Sequence, residues 1–346
     1  MKRAIRAVLA AAVLGVVSVV IAGFVLTSRL TSEMNRPHRG WEGNSVTVDL
    51  PSGVPAGRLL DRLETAGVLP SAEHVRLWLR WKGGAGALQA GEYRFDRPVS
   101  PVEVLQTLQD GAVVQHAFTI PEGWNLVQIA DHIAGTGLAD REALLAAFRD
   151  PAPIRDLVPD APNLEGYLFP DTYNIPRTLG PAGIRDAMVR RFREVAEPQI
   201  LDGARAHGMT LGQVVSLAAM IEKETSVPDE RTRISRVFHN RMRLGMKMQC
   251  DPTVRYAWHL KGVEVDRLLF KHLELESPWN TYVFAGLPPT PIANPGAASL
   301  RAAVQPDDGA DLYFVAAPDG GHTFSESLDD HNRAVAVWRR HRRRAG

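Results

Sequence analysis

Two glutamates separated by a lysine close a strongly apolar segment. Ile221-Glu222-Lys223-Glu224-Thr225 follows Val214, Val215, Leu217, Ala218 and Met220. This pattern predicts a buried helix over Leu211 to Thr225 that delivers carboxylates at its C-terminal end. Burial disfavours the charged form of a carboxyl group and raises its pKa, and a carboxyl still protonated at neutral pH can act as a general acid. Residues two apart on a helix point about 200° away from each other. Glu222 and Glu224 therefore cannot both face one cleft, and spacing alone does not choose between a catalytic Glu224 and a catalytic Glu222.

The elements that must hold such a group in place are legible along the chain. The 346 residues are 45% apolar and 23% charged, the composition of a chain with a real core. A net charge of +1 gives no global field pointing to nucleic acid. The local exception is the basic run Arg339, Arg340, His341, Arg342, Arg343 and Arg344, read as a solvated helix end or as a contact for anionic lipid or polymer. The lone cysteine, Cys250, excludes an intrachain disulfide. From Ala7 to Thr27 there are 21 consecutive residues without a charge, preceded by Lys2, Arg3 and Arg6. That is long enough to span a hydrocarbon core of about 30 Å. The flanking charges predict a cytoplasmic segment 1–6, an uncleaved anchor 7–27 and an exported body. Residues 28–43 read as a polar linker.

An internal duplication follows. Val48-Asp49-Leu50-Pro51-Ser52-Gly53 precedes a helical pattern that ends at Gly67; Phe118-Thr119-Ile120-Pro121-Glu122-Gly123 precedes another that ends at Gly137. Each copy is a strand, a Pro-x-Gly turn and an amphipathic helix closed by glycine. Between them, Ala90 to Phe95 reads as a strand, and Ser100-Pro101-Val102-Glu103 as a capped helix start. The expected fold class is thus α+β: a transmembrane helix, a module over 44–150 resembling LysM folds in shape, and a mixed helical, loop-rich domain over 151–346. In that last part helices are expected near 181–207 and over Asp229 to Leu244. A strand is expected over Leu312 to Ala316, and a final helix around 328–343.

Several segments in one order resemble the signature of the YceG-like (MltG) family of endolytic murein transglycosylases. They are Pro121-Glu122-Gly123, Glu165-Gly166-Tyr167 with Phe169-Pro170-Asp171-Thr172-Tyr173, and Glu222-Lys223-Glu224-Thr225. Gln249 with Asp251-Pro252-Thr253-Val254 and Tyr256, Asn280-Thr281-Tyr282, Gly286-Leu287-Pro288-Pro289 and Pro291 to Gly296 continue the series. It closes on Tyr313-Phe314-Val315 and Gly321-His322-Thr323-Phe324. The resemblance runs from about residue 45 to the end. It implies a lysozyme-like catalytic domain that cuts the β-1,4 bond after N-acetylmuramic acid, inside strands, leaving 1,6-anhydro ends. Related enzymes place a Glu before a small hydroxyl residue at a helix end, and Glu224-Thr225 fits that pattern, which assigns Glu224 as the acid.

The resemblance further implies that Gln249, Asp251, Asn280, Tyr282 and His322 hydrogen-bond sugar groups, while Tyr256 and Phe324 stack on sugar rings. The bland alternative makes Asp251 a helix cap and the tyrosines core residues. Glu165 is expected to hold an inter-domain joint. Cys250 departs from the small hydroxyl usual at its place in the family. No cofactor is expected, and His322 lacks the His or Cys partners a metal site would need. The expected partners are peptidoglycan strands, the inner (cytoplasmic) membrane and cell-wall synthases. The competing reading is a non-catalytic glycan-binding scaffold for those synthases.

Overall fold

The computed structural model describes residues 2–83 and 88–345, with no account of the side chains at 2–4, 7–8, 197–198 and 344–345. Met1 of the expected cytoplasmic segment, and the side chain of Arg344 in the basic run, lie outside the described residues. The chain is a mixed α+β protein with an apolar N-terminal helix, α1 (Lys2–Asn35). Within it the stretch Leu9–Asn35 is long and apolar enough to cross a membrane. Leu14, Val19 and Phe24 stand exposed along that stretch, as a membrane anchor requires.

Two compact units follow from the chain's own contacts: residues 2–116 with 175–178, and residues 117–174 with 179–345. In the first, β1 (Val46–Leu50) pairs antiparallel with β2 (Gly91–Phe95), Val48 opposite Tyr93. Alternation sends Val48, Leu50, Tyr93 and Phe95 to one buried face. That face shares a core with Leu59, Leu60 and Leu63 of α2 (Ala56–Thr65), Val75 of α3 (Ala72–Trp81) and Val104, Leu105 and Leu108 of α4 (Pro101–Asp110). The capping box read from Ser100 and Glu103 is present, with Pro101 in the first turn. The expected linker 28–43 is largely ordered structure instead. Helix α1 continues to Asn35, and Leu30, Met34 and Trp41 are buried in this same core. Leu30 and Met34 are four apart and extend the apolar stripe one more turn beneath polar neighbours.

The duplication is visible in backbone angles: Gly53 and Gly123 have φ +75° and +76°, Gly67 and Gly137 +75° and +74°. The two helix-ending glycines differ in what surrounds them. A Cβ on Gly67 would lie 2.5 Å from the Gly40 carbonyl carbon, whereas one on Gly137 meets nothing within 4 Å. Gly137→Ala should cost about 1–2 kcal/mol, the left-handed strain alone. Gly67→Ala should cost about 2–4 kcal/mol, because backbone must also move. Urea denaturation of the two variants measures the difference.

The second copy belongs to the second unit, so the compact boundary falls after His116 and not at the expected residue 150. The reason is pairing: β3 (His116–Thr119) lies beside β4 (Thr172–Ile175). Thr119 and Thr172 share a 2.8 Å hydroxyl contact, and the Ile120 amide donates to Asp171 at 3.0 Å. α5 (Leu126–Gly135) packs on α6 (Arg141–Arg149), and α6 on α7 (Gly180–Val195). The single helix expected near 181–207 is two, α7 and α8 (Glu197–Ala206), with a proline in the first turn of α8.

At the centre runs α9 (Leu211–Glu224), buried on every side from Val214 to Ile221. It packs against α8, α10 (Arg231–Arg243), α11 (Asp251–His259) and, beyond the short α12 (Phe270–Leu273), α13 (Ala297–Val304). The hairpin of β5 (Tyr313–Ala316) and β6 (His322–Ser325), with Phe314 opposite Phe324, and α14 (Leu328–Ala345) complete the unit.

Candidate active site

Thr210 opens α9 with a capping box to Gln213, and Thr225 ends it by turning extended at φ −141°, ψ 139°. Thr225 is itself pinned. Its hydroxyl accepts from the Val227 amide at 2.9 Å and donates to Glu230 at 3.3 Å. The last helical residue, Glu224, is thereby fixed at a rigid end.

The two glutamates diverge as helix geometry requires. Glu222 turns inward: its side chain is 7% exposed, accepts the Gly296 amide at 3.0 Å and lies 3.7 Å from Arg231. Its charge, after burial, raises the pKa of the neighbouring Glu122. Glu222 is thus committed to holding the 291–296 loop. Glu222→Ala should lower stability by about 1–2 kcal/mol, softened because Glu122 can take over Arg231. The folded protein should keep its turnover, which a melting curve and a sacculus digestion on one sample separate.

Glu224 meets a different set. The Cys250 thiol hydrogen-bonds its carboxyl, and Asp251 and Arg241 act on it through their charges. Burial pushes Glu224 up to about 7; the Cys250 bond pulls it down, Asp251 pushes it further up and Arg241 opposes that. A group with this pKa is a competent general acid and, once ionised, a competent base. The segment carrying Cys250 is itself constrained. Gln249 sits at φ +51°, the one non-glycine with positive φ among the described residues, and is exposed. Sparsely populated conformations of this kind cluster at functional sites. Gln249 and Cys250 amides donate to Thr281, at 3.1 Å to its carbonyl and 3.0 Å to its hydroxyl. Buried Arg241 donates to the carbonyls of Met248 at 2.7 Å and Leu312 at 2.6 Å.

Of the residues singled out by sequence, Asp251 and Tyr282 lie close enough to Glu224 for their charges to interact, and Gln249 directly precedes Cys250 in the same segment. The Tyr282 hydroxyl donates to exposed Asp251 at 2.6 Å. Asp251 does not cap α11; the N-cap is Cys250, which makes no side-chain cap. Asn280 and Tyr256 play packing roles next to these residues. Asn280 is fully buried, its amide donating to the carbonyls of Leu273 and Leu275 and its oxygen accepting from the Tyr282 amide. Tyr256 is 7% exposed with its hydroxyl donating to Glu165 at 3.1 Å. Both have spent their polar groups inside the unit, though the Tyr256 ring still lines a cavity with Lys223 and Arg255.

His322 donates its amide to Glu230 at 2.6 Å, and its Nδ1 lies 2.6 Å from the same carboxylate. Burial pushes Glu230 up, but these His322 bonds and that from Thr225 hold it below the usual range. His322 thus reaches the site through Glu230 and Thr225. The Phe324 ring is covered by the Arg233 guanidinium at 4.1 Å. Glu165 does not bridge units: it accepts the Leu126 amide, Tyr256 and Asn294, all in the second. Sequence reasoning missed Arg241 and Glu230, which lie on or beside α10 among ordinary surface-helix residues. It noted Cys250 without a role; its neighbour Asp251 in the signature was the available signal.

An apolar helix that ends in a carboxyl of raised pKa, backed by a hydrogen-bonded loop, defines a site able to do general acid–base work. Comparison with known proteins agrees on one family. The model of the YceG-like family matches residues 48–337. An endolytic murein transglycosylase of Bacillus subtilis is 33% identical over 308 residues, covering 84% of both chains. The endolytic murein transglycosylase of Streptococcus pneumoniae serotype 2 is 27% identical over 321 residues, 84% of this chain and 58% of that longer protein. The crystal structure of a yceG-like protein from Listeria monocytogenes superposes with a TM-score of 0.57 at 30% identity, covering 84% of this chain and 98% of that one. The chain belongs to the YceG-like family.

Proposed function

We propose that this protein is a membrane-anchored endolytic murein transglycosylase with Glu224 as its acid and base. The observation that carries the reading is the Glu224 carboxyl, held at the end of a helix buried all round and pushed up to about 7. The activity named for its relatives supports the substrate. In the proposed reaction, protonated Glu224 gives its proton to the bridging oxygen as the bond to C1 of N-acetylmuramic acid breaks. The carboxylate then takes the proton of that sugar's own 6-hydroxyl as its oxygen bonds to C1, closing a 1,6-anhydro ring. The proton lost is regained, and no water is consumed. An intramolecular nucleophile gains from proximity, so no residue has to position a water.

Gln249, Asp251 and Tyr282 are the proposed sugar contacts, and His322 positions Glu224 through Glu230. The stretch 7–27 is the proposed single-pass anchor, with 1–6 cytoplasmic and the body extracytoplasmic, as Lys2, Arg3 and Arg6 favour. Glycan binding by the LysM-like first unit is proposed as a separate contact, and synthases that extend the strands are the proposed partners.

A hydrolytic muramidase would need a second carboxylate about 5–9.5 Å from the acid. Asp251 is the candidate, close enough for its charge to act on Glu224, though it already accepts from Tyr282. Mass analysis of digested sacculi decides. Anhydro ends are expected; reducing ends would replace the proposal with a muramidase, and no cleavage would leave the scaffold reading.

A further inference from the structure

One residue along α9 from the acid, Lys223 lines a cavity of about 420 Å³ whose walls belong entirely to the second unit. Lys223 directly precedes Glu224, and Pro252 directly follows Asp251, so the cavity is bordered by the ends of α9 and α11 that carry those two carboxylates. Its walls carry two cations close enough to repel, Lys223 and Arg255. Neither forms an ion pair with a carboxylate among the described residues, although the Glu222 charge acts on Lys223 from within α9. The Lys223 ammonium donates to the Gly123 carbonyl at 3.1 Å, and Arg255 donates to the carbonyls of Val265 and Asp266. Asn125 and Gln128 also line it. Their side-chain oxygens are taken by the reciprocal cap of α5, which leaves their NH2 groups as donors. The acidic residues on the wall are Glu264, bonded to His259, and exposed Asp266.

The two cations and two amide donors give this lining a place for an anion, with Glu264 taken up by His259 and Asp266 exposed. We propose that it is a subsite for a carboxylate of the peptide stem carried by the muramic acid at the cleavage point. The stem leaves the same sugar ring whose C1 bond is cut, so a group on it is within reach of a cavity one residue from Glu224. The subsite makes the enzyme a reader of stem chemistry, cutting peptide-bearing strands in preference to bare ones. This rests on the proposed transglycosylase activity.

The full chain is assayed on three glycan substrates: strands with intact stems, strands whose stem carboxylates are amidated, and strands stripped by an amidase whose freed lactyl carboxylates are then amidated. For the unmodified protein, kcat/KM on intact strands should exceed that on the other two by about tenfold, the effect of one charge-assisted bond. Lys223→Met and Arg255→Gln should each collapse that preference to about one, through KM. Arg255 lies on α11, so its variant keeps the test open where loss of the Lys223–Gly123 bond weakens folding. Equal rates on all three strands, or a preference that survives in Arg255→Gln, would overturn the subsite. Intact and amidated strands cut alike would refute carboxylate recognition. No cleavage of any strand by the unmodified protein would instead refute the transglycosylase reading.

Discussion

Glu224→Gln should lower cleavage of purified sacculi by about 10²–10⁴-fold, the usual contribution of a positioned general acid, while leaving the protein at least as stable as before. Glutamine keeps an acceptor for the Cys250 thiol but cannot pass a proton to the leaving oxygen. The stability half follows from linkage. The folded pKa of Glu224 is about 7, above its ordinary value of 4.5, so the native state binds this proton more tightly than the unfolded chain. Its favourable contribution is complete below about pH 4.5 and is lost as pH rises through about 7. A neutral glutamine escapes that loss. At pH 8 the variant should therefore be about 1–2 kcal/mol more stable, less than the full shift implies because Glu224 is partly exposed and screened. Denaturant titrations at pH 4.5 and pH 8 should show the two proteins converging at the lower pH. A variant that loses stability at pH 8 makes Glu224 a structural residue, and one that still cuts glycan makes Glu224 the wrong acid. Cleavage by the unmodified protein should fall above about pH 7 as the acid loses its proton.

The position of these carboxylates on an apolar helix is legible in the sequence because it depends on local spacing alone. So are the duplicated turns, where Gly53 and Gly123, seventy residues apart, adopt φ values one degree different. The choice between Glu222 and Glu224 is not local. It depends on Gly296 arriving from a loop 74 residues away to occupy Glu222, and on Cys250 arriving beside Glu224. The same limit explains Tyr256 and Asn280. A polar side chain in a family motif can as easily satisfy buried backbone as touch ligand, and nothing near Asn280 in sequence announces that its amide is spent on Leu273 and Leu275. The unit boundary was hidden for a related reason: β3 belongs with β4 through a pairing that skips 53 residues. The segment 28–43 is the opposite case. Leu30 and Met34 were in plain sight at helical spacing, diluted by polar neighbours.

Glu165→Ala should be the most destabilising single substitution near the site, costing about 3–5 kcal/mol. Glu165 is 2% exposed and gathers three donors from distant segments: the Leu126 amide at 3.1 Å, the Tyr256 hydroxyl at 3.1 Å and the Asn294 amide at 3.1 Å. Asn294 in turn binds the Trp124 carbonyl and the Leu168 amide. One carboxyl thus ties α5, α11 and the 291–296 loop together, and truncation leaves buried donors with no acceptor. Burial pushes its pKa up to about 8, while the bonds from Leu126, Tyr256 and Asn294 pull the other way. Its folded pKa is raised, so its contribution is complete below the ordinary value of 4.5 and is lost as pH rises through about 8. Glu165→Gln retains one acceptor oxygen and no charge, so it should lose less than the alanine variant and flatten the decline of stability between pH 5 and pH 8. Urea midpoints across that range for the three proteins test both statements. Because the 291–296 loop also anchors Glu222 through Gly296, the alanine variant should disturb both glutamates of α9 together. Cleavage should then track the folded fraction in Glu165→Gln but fall below it in Glu165→Ala, where the helix end that aims Glu224 has lost its support.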